Sequence, residues 1–147
     1  MTPAVEEWVA KAENDFASML RESRVRKSPN HDIVCFLSQQ CAEKYLKGRL
    51  WQAGIDLPKT HDLSALLDMA LAVEPLREGY RPGLSSLTRF AVRYRYPGLS
   101  ASKASADKAR KFCEVFRLVA RQAMCLRTPK ARVRSRAARG AAGTRVR

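Results

Sequence analysis

The sequence has 147 residues, a formal net charge of +14 and 46% hydrophobic residues. This length is that of one domain and is sufficient to bury a hydrophobic core. No apolar run is long enough to span a membrane and the first residues show no signal peptide, so we expect a cytoplasmic protein.

The charge is concentrated at the C-terminal end. Residues 127–147 contain eight Lys and Arg and no Asp or Glu, which leaves a net charge of +6 for residues 1–126. Such a segment lacks the apolar surface needed to offset the entropy cost of ordering, so we predict a disordered Arg/Ala-rich tail. It either contacts RNA or DNA phosphates without sequence specificity or is a solvated appendage.

The cysteines and histidines argue against a metal site. None of the four cysteines forms a C-x-x-C pair and the chain has only two histidines, which argues against a structural zinc site and favours buried free thiols. His31-Asp32 and His61-Asp62 resemble the pairs of a metal phosphohydrolase, but further ligands are missing. The glycine-rich phosphate loops and the nucleophile elbow are also missing. We therefore expect no metal and no cofactor.

Helical patterns begin at the N-terminus. Thr2 and Pro3 suit the start of a helix from about residue 3 to about residue 23, with apolar residues at helical spacing. Residues 28–30 break the chain. A second helix is predicted from Asn30 or Asp32 to Gly54, since a carboxylate suits the N-terminal end of a helix and glycine its C-terminal cap.

Further helices follow in the second half. Asp62 suits the cap of a third helix that ends at Glu74-Pro75. Residues 79–83 are predicted to be a loop, and a short helix then ends before Pro97. The last long helix is expected from about residue 102 to about residue 126. With no alternating strand pattern, the sequence predicts an all-α fold: an antiparallel up-and-down bundle of four main helices plus a short fifth helix, over residues 1–126.

The second helix carries a dense polar stripe. Gln40, Lys44 and Lys47 are three or four residues apart and share a face, and Gln39 and Glu43 form an adjacent row. The residues either serve a ligand or form an ordinary solvated face with ion pairs one turn apart. Spacing alone favours the solvated face.

Two other segments contain candidate ligand-binding residues. Residues 93–97 interleave arginines with tyrosines: guanidinium groups bind phosphate and rings stack on bases, although a helix end with inward tyrosines shows the same pattern. His61 precedes a helix start, where a histidine is more often a hydrogen-bonding element than a catalyst.

Taken together, these residues resemble a HEPN domain, the higher-eukaryote and prokaryote nucleotide-binding domain. The resemblance rests on Trp8, Ala12 and Asp15, the string CFLSQQCAEKYLKGRL, the string KTHDL and Arg95-Tyr96-Pro97, and covers residues from about 5 to about 122. It implies a helical bundle, usually a homodimer, often encoded beside a minimal nucleotidyltransferase in a toxin–antitoxin module. Other HEPN domains bind nucleotides or cut RNA without a metal.

One departure concerns the HEPN ribonuclease motif, an arginine followed after four to six residues by a histidine on a late helix. The late arginines of this chain have no histidine after them. His31 follows Arg24 and Arg26 at such spacing, but lies in the first interhelical loop, so we interpret that spacing as chance. The standard ribonuclease site is therefore not expected.

The resemblance and the residues lead to one main hypothesis and two alternatives. The main hypothesis is a nucleotide- or RNA-binding HEPN protein that partners a separate nucleotidyltransferase. The alternatives are a ribonuclease toxin with a displaced site, for which His61 is a weak catalytic candidate, and a ligand-free dimerisation module. The predicted ligand-binding residues are Lys44, Lys47, His61, Arg93, Arg95 and Tyr96, supported by Asp15, Gln40 and Glu43.

Overall fold

A computed structural model of the chain describes residues 1–73 and 78–127. These residues form five α-helices and a short 3-10 helix, and contain no strand. The helices are α1 (Pro3–Ser23), α2 (His31–Gln52), α3 (Leu63–Ala70), α4 (Arg81–Arg93) and α5 (Lys103–Ala123), with the 3-10 helix at Glu78–Tyr80. The predicted all-α bundle is confirmed. Residues 128–147, and with them nearly all of the predicted tail, lie outside the described residues.

Side-chain caps mark the start of four of the five described α-helices, α4 being the exception. The side chains of Thr2, Asn30, Asp62 and Ser102 each accept a backbone N–H of the first turn that follows, at 3.0–3.4 Å. These caps satisfy donors that have no partner within the helix. At the other end of α2, Gly54 adopts a φ of +75°, which glycine tolerates better than other residues.

The predicted loop at residues 79–83 is wrong. Glu78–Tyr80 form the 3-10 helix and α4 already starts at Arg81, with Pro82 in its first turn. Proline is accepted there because the first-turn N–H groups lack helical partners. Gly83 lies against Phe112, whose ring would come within 2.0 Å of an added Cβ. Gly83 therefore allows α4 and α5 to pack closely. The shortest α-helix of the described chain is α3, with eight residues.

The central element is α2, which packs against α1, α3, α4 and α5. It runs parallel to α5, because Asp32 accepts the N–H of Ala101 at one end (2.6 Å) and Gln52 donates to the carbonyl of Met124 at the other (3.2 Å). Between these two hydrogen bonds, large buried side chains of α2 pack against those of the other helices. The large buried side chains of the core include Tyr45, Leu46, Leu50, Phe116, Met19, Leu66 and Leu84.

Three of the four thiols belong to this core. Cys35, Cys41 and Cys113 are buried and free, as predicted, whereas Cys125 is exposed. Burial, with the nearby charge of Asp32, raises the pKa of the Cys35 thiol to about 11. The exposure of Cys125 follows from its place just beyond α5, where it takes a positive φ of 57°. No helix among the described residues has the length and apolar character needed to cross a bilayer.

Candidate functional site

Part of the polar stripe on α2 is buried. Gln39 and Glu43 are almost inaccessible to solvent, so the interpretation of an ordinary solvated face is wrong for this row. The segment that leads into α3 covers it: the Gln39 amide donates to the carbonyl of His61 (3.1 Å), and Gln40 donates to Gln39 (2.7 Å). Buried polar groups are costly unless they are hydrogen-bonded, and these groups are.

A buried carboxylate orients an exposed imidazole. Oε1 of Glu43 lies 2.7 Å from Nδ1 of His61, and the two side chains are 5% and 81% exposed. Because Nδ1 is engaged, Nε2 is the ring nitrogen left for a ligand. The other oxygen of Glu43 lies 3.9 Å from Nζ of Lys47. Glu43 thus connects two of the predicted ligand-binding residues.

Lys44 faces α1 rather than His61. It forms an ion pair with Asp15, in which both side chains are about one-fifth exposed. The structure therefore pairs each predicted lysine with one of the two acidic residues named as supporting: Lys44 with Asp15, and Lys47 with Glu43. The two lysines point to different neighbours although they lie three residues apart.

Lys44 also lines a cavity of about 380 Å³ between α1 and α2, which we call the α1–α2 groove. The groove is lined by Ala4, Glu7, Trp8, Lys11, Lys44 and Trp51. Gly48 lets the two helices approach closely beside it, since a Cβ at this position would lie 3.2 Å from the Cβ of Trp8. The groove combines two indole rings with two ammonium groups.

Sequence reasoning missed Trp51 and Lys11 as candidate ligand-binding residues. A signal for Trp51 was present, since it lies seven residues after Lys44 and so on the same helical face. Trp51 is 47% exposed, which is unusual for so large an apolar residue. Lys11 is on another helix, and only the packing of α1 against α2 brings it to the groove.

Arg93, Arg95 and Tyr96 lie elsewhere, all three exposed at the end of α4. Arg95 lines a cavity of about 320 Å³ with the first turns of α2, including Ile33. From Ile33 to Lys44 the helix rises by about 16 Å. The structure therefore separates the α4 residues from the α1–α2 groove, and their role in binding stays a prediction.

The described helices and these polar contacts define a small all-α bundle protein with a buried, hydrogen-bonded polar row on its central helix. The family model of the HEPN domain matches residues 5–122. The chain therefore belongs to the HEPN domain family.

Solved structures agree with this assignment. ST0689, an archaeal HEPN homologue, is 25% identical, with a TM-score of 0.64 over 80% of this chain and 95% of that one. TT1696 from Thermus thermophilus is 19% identical, with a TM-score of 0.67 over 82% of this chain and 98% of that one, and shows the same fold. No curated protein matches the chain.

Replacing the buried carboxylate should destabilise the fold. In the variant Glu43→Ala, the ammonium of Lys47 loses its ion-pair partner and the imidazole of His61 loses its hydrogen bond to α2. We expect the free energy of unfolding to fall by about 2 kcal/mol, measured by urea denaturation. The control is Glu114→Ala, which removes a partly exposed carboxylate paired with Arg110 and should cost less than about 0.5 kcal/mol. Equal losses in the two variants would contradict the structural role of Glu43.

Proposed function

We propose that this HEPN protein binds a nucleotide, free or within an RNA chain, in the α1–α2 groove. The observation that carries the proposal is the lining of one cavity by Trp8, Trp51, Lys11 and Lys44. In this proposal an indole ring stacks on the base and the lysines hold the phosphate.

The size and chemistry of the groove support this ligand. Its volume of about 380 Å³ lies in the range of small-molecule sites. Stacking of a base on an aromatic ring contributes about 1–3 kcal/mol and does not depend on the identity of the base. The partly exposed indole of Trp51 offers such a ring.

The two lysines differ in how they are held. Asp15 takes one of the three donors of the Lys44 ammonium, which positions Lys44 and leaves two donors for phosphate oxygens. Lys11 is exposed and lies 4.0 Å from Glu7. Surface pairs of that kind contribute little, so Lys11 is free to turn toward a phosphate.

Nucleotide binding can be followed by tryptophan fluorescence, because Trp8 and Trp51, which line the groove, are the only tryptophans of the chain. Titration with adenosine 5′-monophosphate should quench the intrinsic fluorescence. The variant Lys44→Ala should weaken binding about tenfold, the effect of one charge-assisted phosphate contact. Lys108→Ala removes an exposed lysine on α5, outside the groove, and should leave binding unchanged.

Two results would contradict the groove as the binding site. One is an unchanged fluorescence up to millimolar nucleotide. The other is binding, followed by calorimetry, that the variants Trp51→Leu and Lys44→Ala leave intact.

A second candidate function is RNA cleavage at His61, supported by the orientation of its ring by Glu43. Nε2 of His61 would take the proton of a ribose 2′-hydroxyl. The 2′-oxygen would then attack the adjacent phosphorus and release the 5′-oxygen, which takes a proton from water. The Lys47 ammonium, which lies 3.9 Å from the other oxygen of Glu43, would stabilise the charge that develops on the phosphate.

Two variants test cleavage separately from binding. If the protein cuts RNA at His61, His61→Ala should abolish cleavage in a gel assay and leave nucleotide quenching of the tryptophans intact. Glu43→Gln should lower the rate about 10- to 100-fold, because an amide orients the ring without stabilising its charged form. The absence of cleavage by the unaltered protein would remove this candidate and leave the binding function.

Homodimer formation is proposed for the exposed apolar face of α5. Val115 and Leu118 are 55% and 48% exposed and lie three residues apart on that helix, and pairing with a second copy would bury them. Light scattering should show a dimer mass at micromolar concentration. Leu118→Glu should shift the mass toward the monomer, and Val25→Glu, at an exposed valine beyond α1, should not. A monomer mass at every concentration would rule out the dimer.

Family membership also supports a separate nucleotidyltransferase as partner, in a module of toxin–antitoxin type. This pairing predicts that a nucleotidyltransferase gene lies beside the gene of this protein. It also predicts that the two chains co-purify when they are expressed together with a tag on only one of them. Recovery of the tagged chain alone would contradict the pairing.

A further inference from the structure

A further concave surface lies at the opposite end of the α1–α2 pair from the groove. It is a cavity of about 630 Å³ between the α1–α2 loop, the start of α2 and the start of α5. We call it the loop cavity. Its ionisable lining residues are Glu22, Arg24, Arg26, His31, Lys103 and Asp107.

Two hydrogen bonds hold the walls of the loop cavity. Glu22 accepts the backbone N–H of Asn30 at 2.7 Å, which ties the loop to the end of α1. Asp32 accepts the N–H of Ala101 at 2.6 Å, which holds the start of α5 beside the start of α2. The cavity is therefore built by the fold.

The three cations of the loop cavity have no direct ion-pair partner within the described part of the chain. Arg24, Arg26 and Lys103 form no ion pair and no side-chain hydrogen bond with any residue there. Arg117 and Arg121 differ in this respect, because both bind Glu13, with nitrogen–oxygen distances of 2.6–2.9 Å.

The acids of the loop cavity do not cancel this charge. Asp107 and Glu22 oppose three cations, and Glu22 is already committed to the backbone of Asn30. Three cations and two carboxylates leave the cavity with a net positive charge, and a concave surface of positive charge attracts an anion.

We propose that the loop cavity binds the phosphate group of a nucleotide, free or within an RNA chain. Arg24 and Arg26 offer planar pairs of donors that match phosphate oxygens, Lys103 adds a third cation, and the imidazole of His31 also lines the cavity. A volume of about 630 Å³ accommodates more than inorganic phosphate.

Arg24, Arg26 and His31 are close in sequence, at the spacing interpreted above as chance, and all three line this cavity. The loop cavity shares no lining residue with the α1–α2 groove, so the two sites are tested separately.

Proton NMR of the histidine rings gives a local readout, because the chain has only two histidines and His31→Asn assigns their signals. Inorganic phosphate and adenosine 5′-monophosphate should each shift the His31 ring resonance of the full-length protein. The double variant Arg24→Ala/Arg26→Ala should weaken this binding about tenfold or more. The control Lys108→Ala/Lys111→Ala removes the same charge from the exposed side of α5 and should change the affinity less than about twofold.

Several outcomes would overturn the proposal that the loop cavity binds phosphate. A His31 resonance that neither probe moves would overturn it, and so would equal weakening in the two double variants, which would indicate diffuse attraction only. If the alanine variant loses its helical circular dichroism, Arg24→Lys/Arg26→Lys keeps the charge without the planar donors and should still weaken binding. Unchanged affinity in that folded variant would refute guanidinium recognition.

A short oligoribonucleotide distinguishes the two sources of phosphate. A shift of His31 at lower concentration of oligoribonucleotide than of adenosine 5′-monophosphate identifies an RNA chain as the ligand, and the reverse order identifies a free nucleotide. Tryptophan quenching in the same samples reports on the α1–α2 groove. Failure of one site is therefore distinguishable from failure of the other.

Discussion

The enclosure of α2 by four other helices is the constraint on which the rest of the structure depends. A helix buried on most sides has no broad solvent face for its polar residues, so each must find a partner inside the fold. Gln39 and Glu43 find theirs in the segment at His61, and Lys44 finds Asp15 on α1. These contacts give the polar groups of α2 their partners. They also hold the exposed imidazole of His61 and the ammonium of Lys44 in place.

Charge pairing also connects the outer helices. Glu13 of α1 binds Arg117 and Arg121 of α5, and Arg121 donates to the hydroxyl of Tyr45 on α2. Burial by itself would lower the pKa of Arg117, but Glu13 outweighs burial and the pKa is raised. Paired arginines thus stabilise the bundle, whereas the cations at the loop cavity, which have no acidic partner among the described residues, remain available for an anion.

Much of the fold was predictable because local signals agreed with the tertiary packing. Thr2 and Asp62 start helices as predicted, and Gly54 follows the end of α2 with positive φ. The start of α4 was not predictable from composition. Its glycine is explained by the ring of Phe112, which lies on a helix far away in sequence.

The sequence by itself determined the helices, the family and which charged residues α2 carries, because caps, apolar spacing and motif strings are local properties. Only the tertiary structure decided which of those residues meet. It buried Glu43 behind His61, brought Lys11 of α1 to the groove of Lys44, and gathered Arg24 and His31 in one cavity. The physical reason is that side chains from different helices become neighbours through packing, and packing depends on residues distant in sequence.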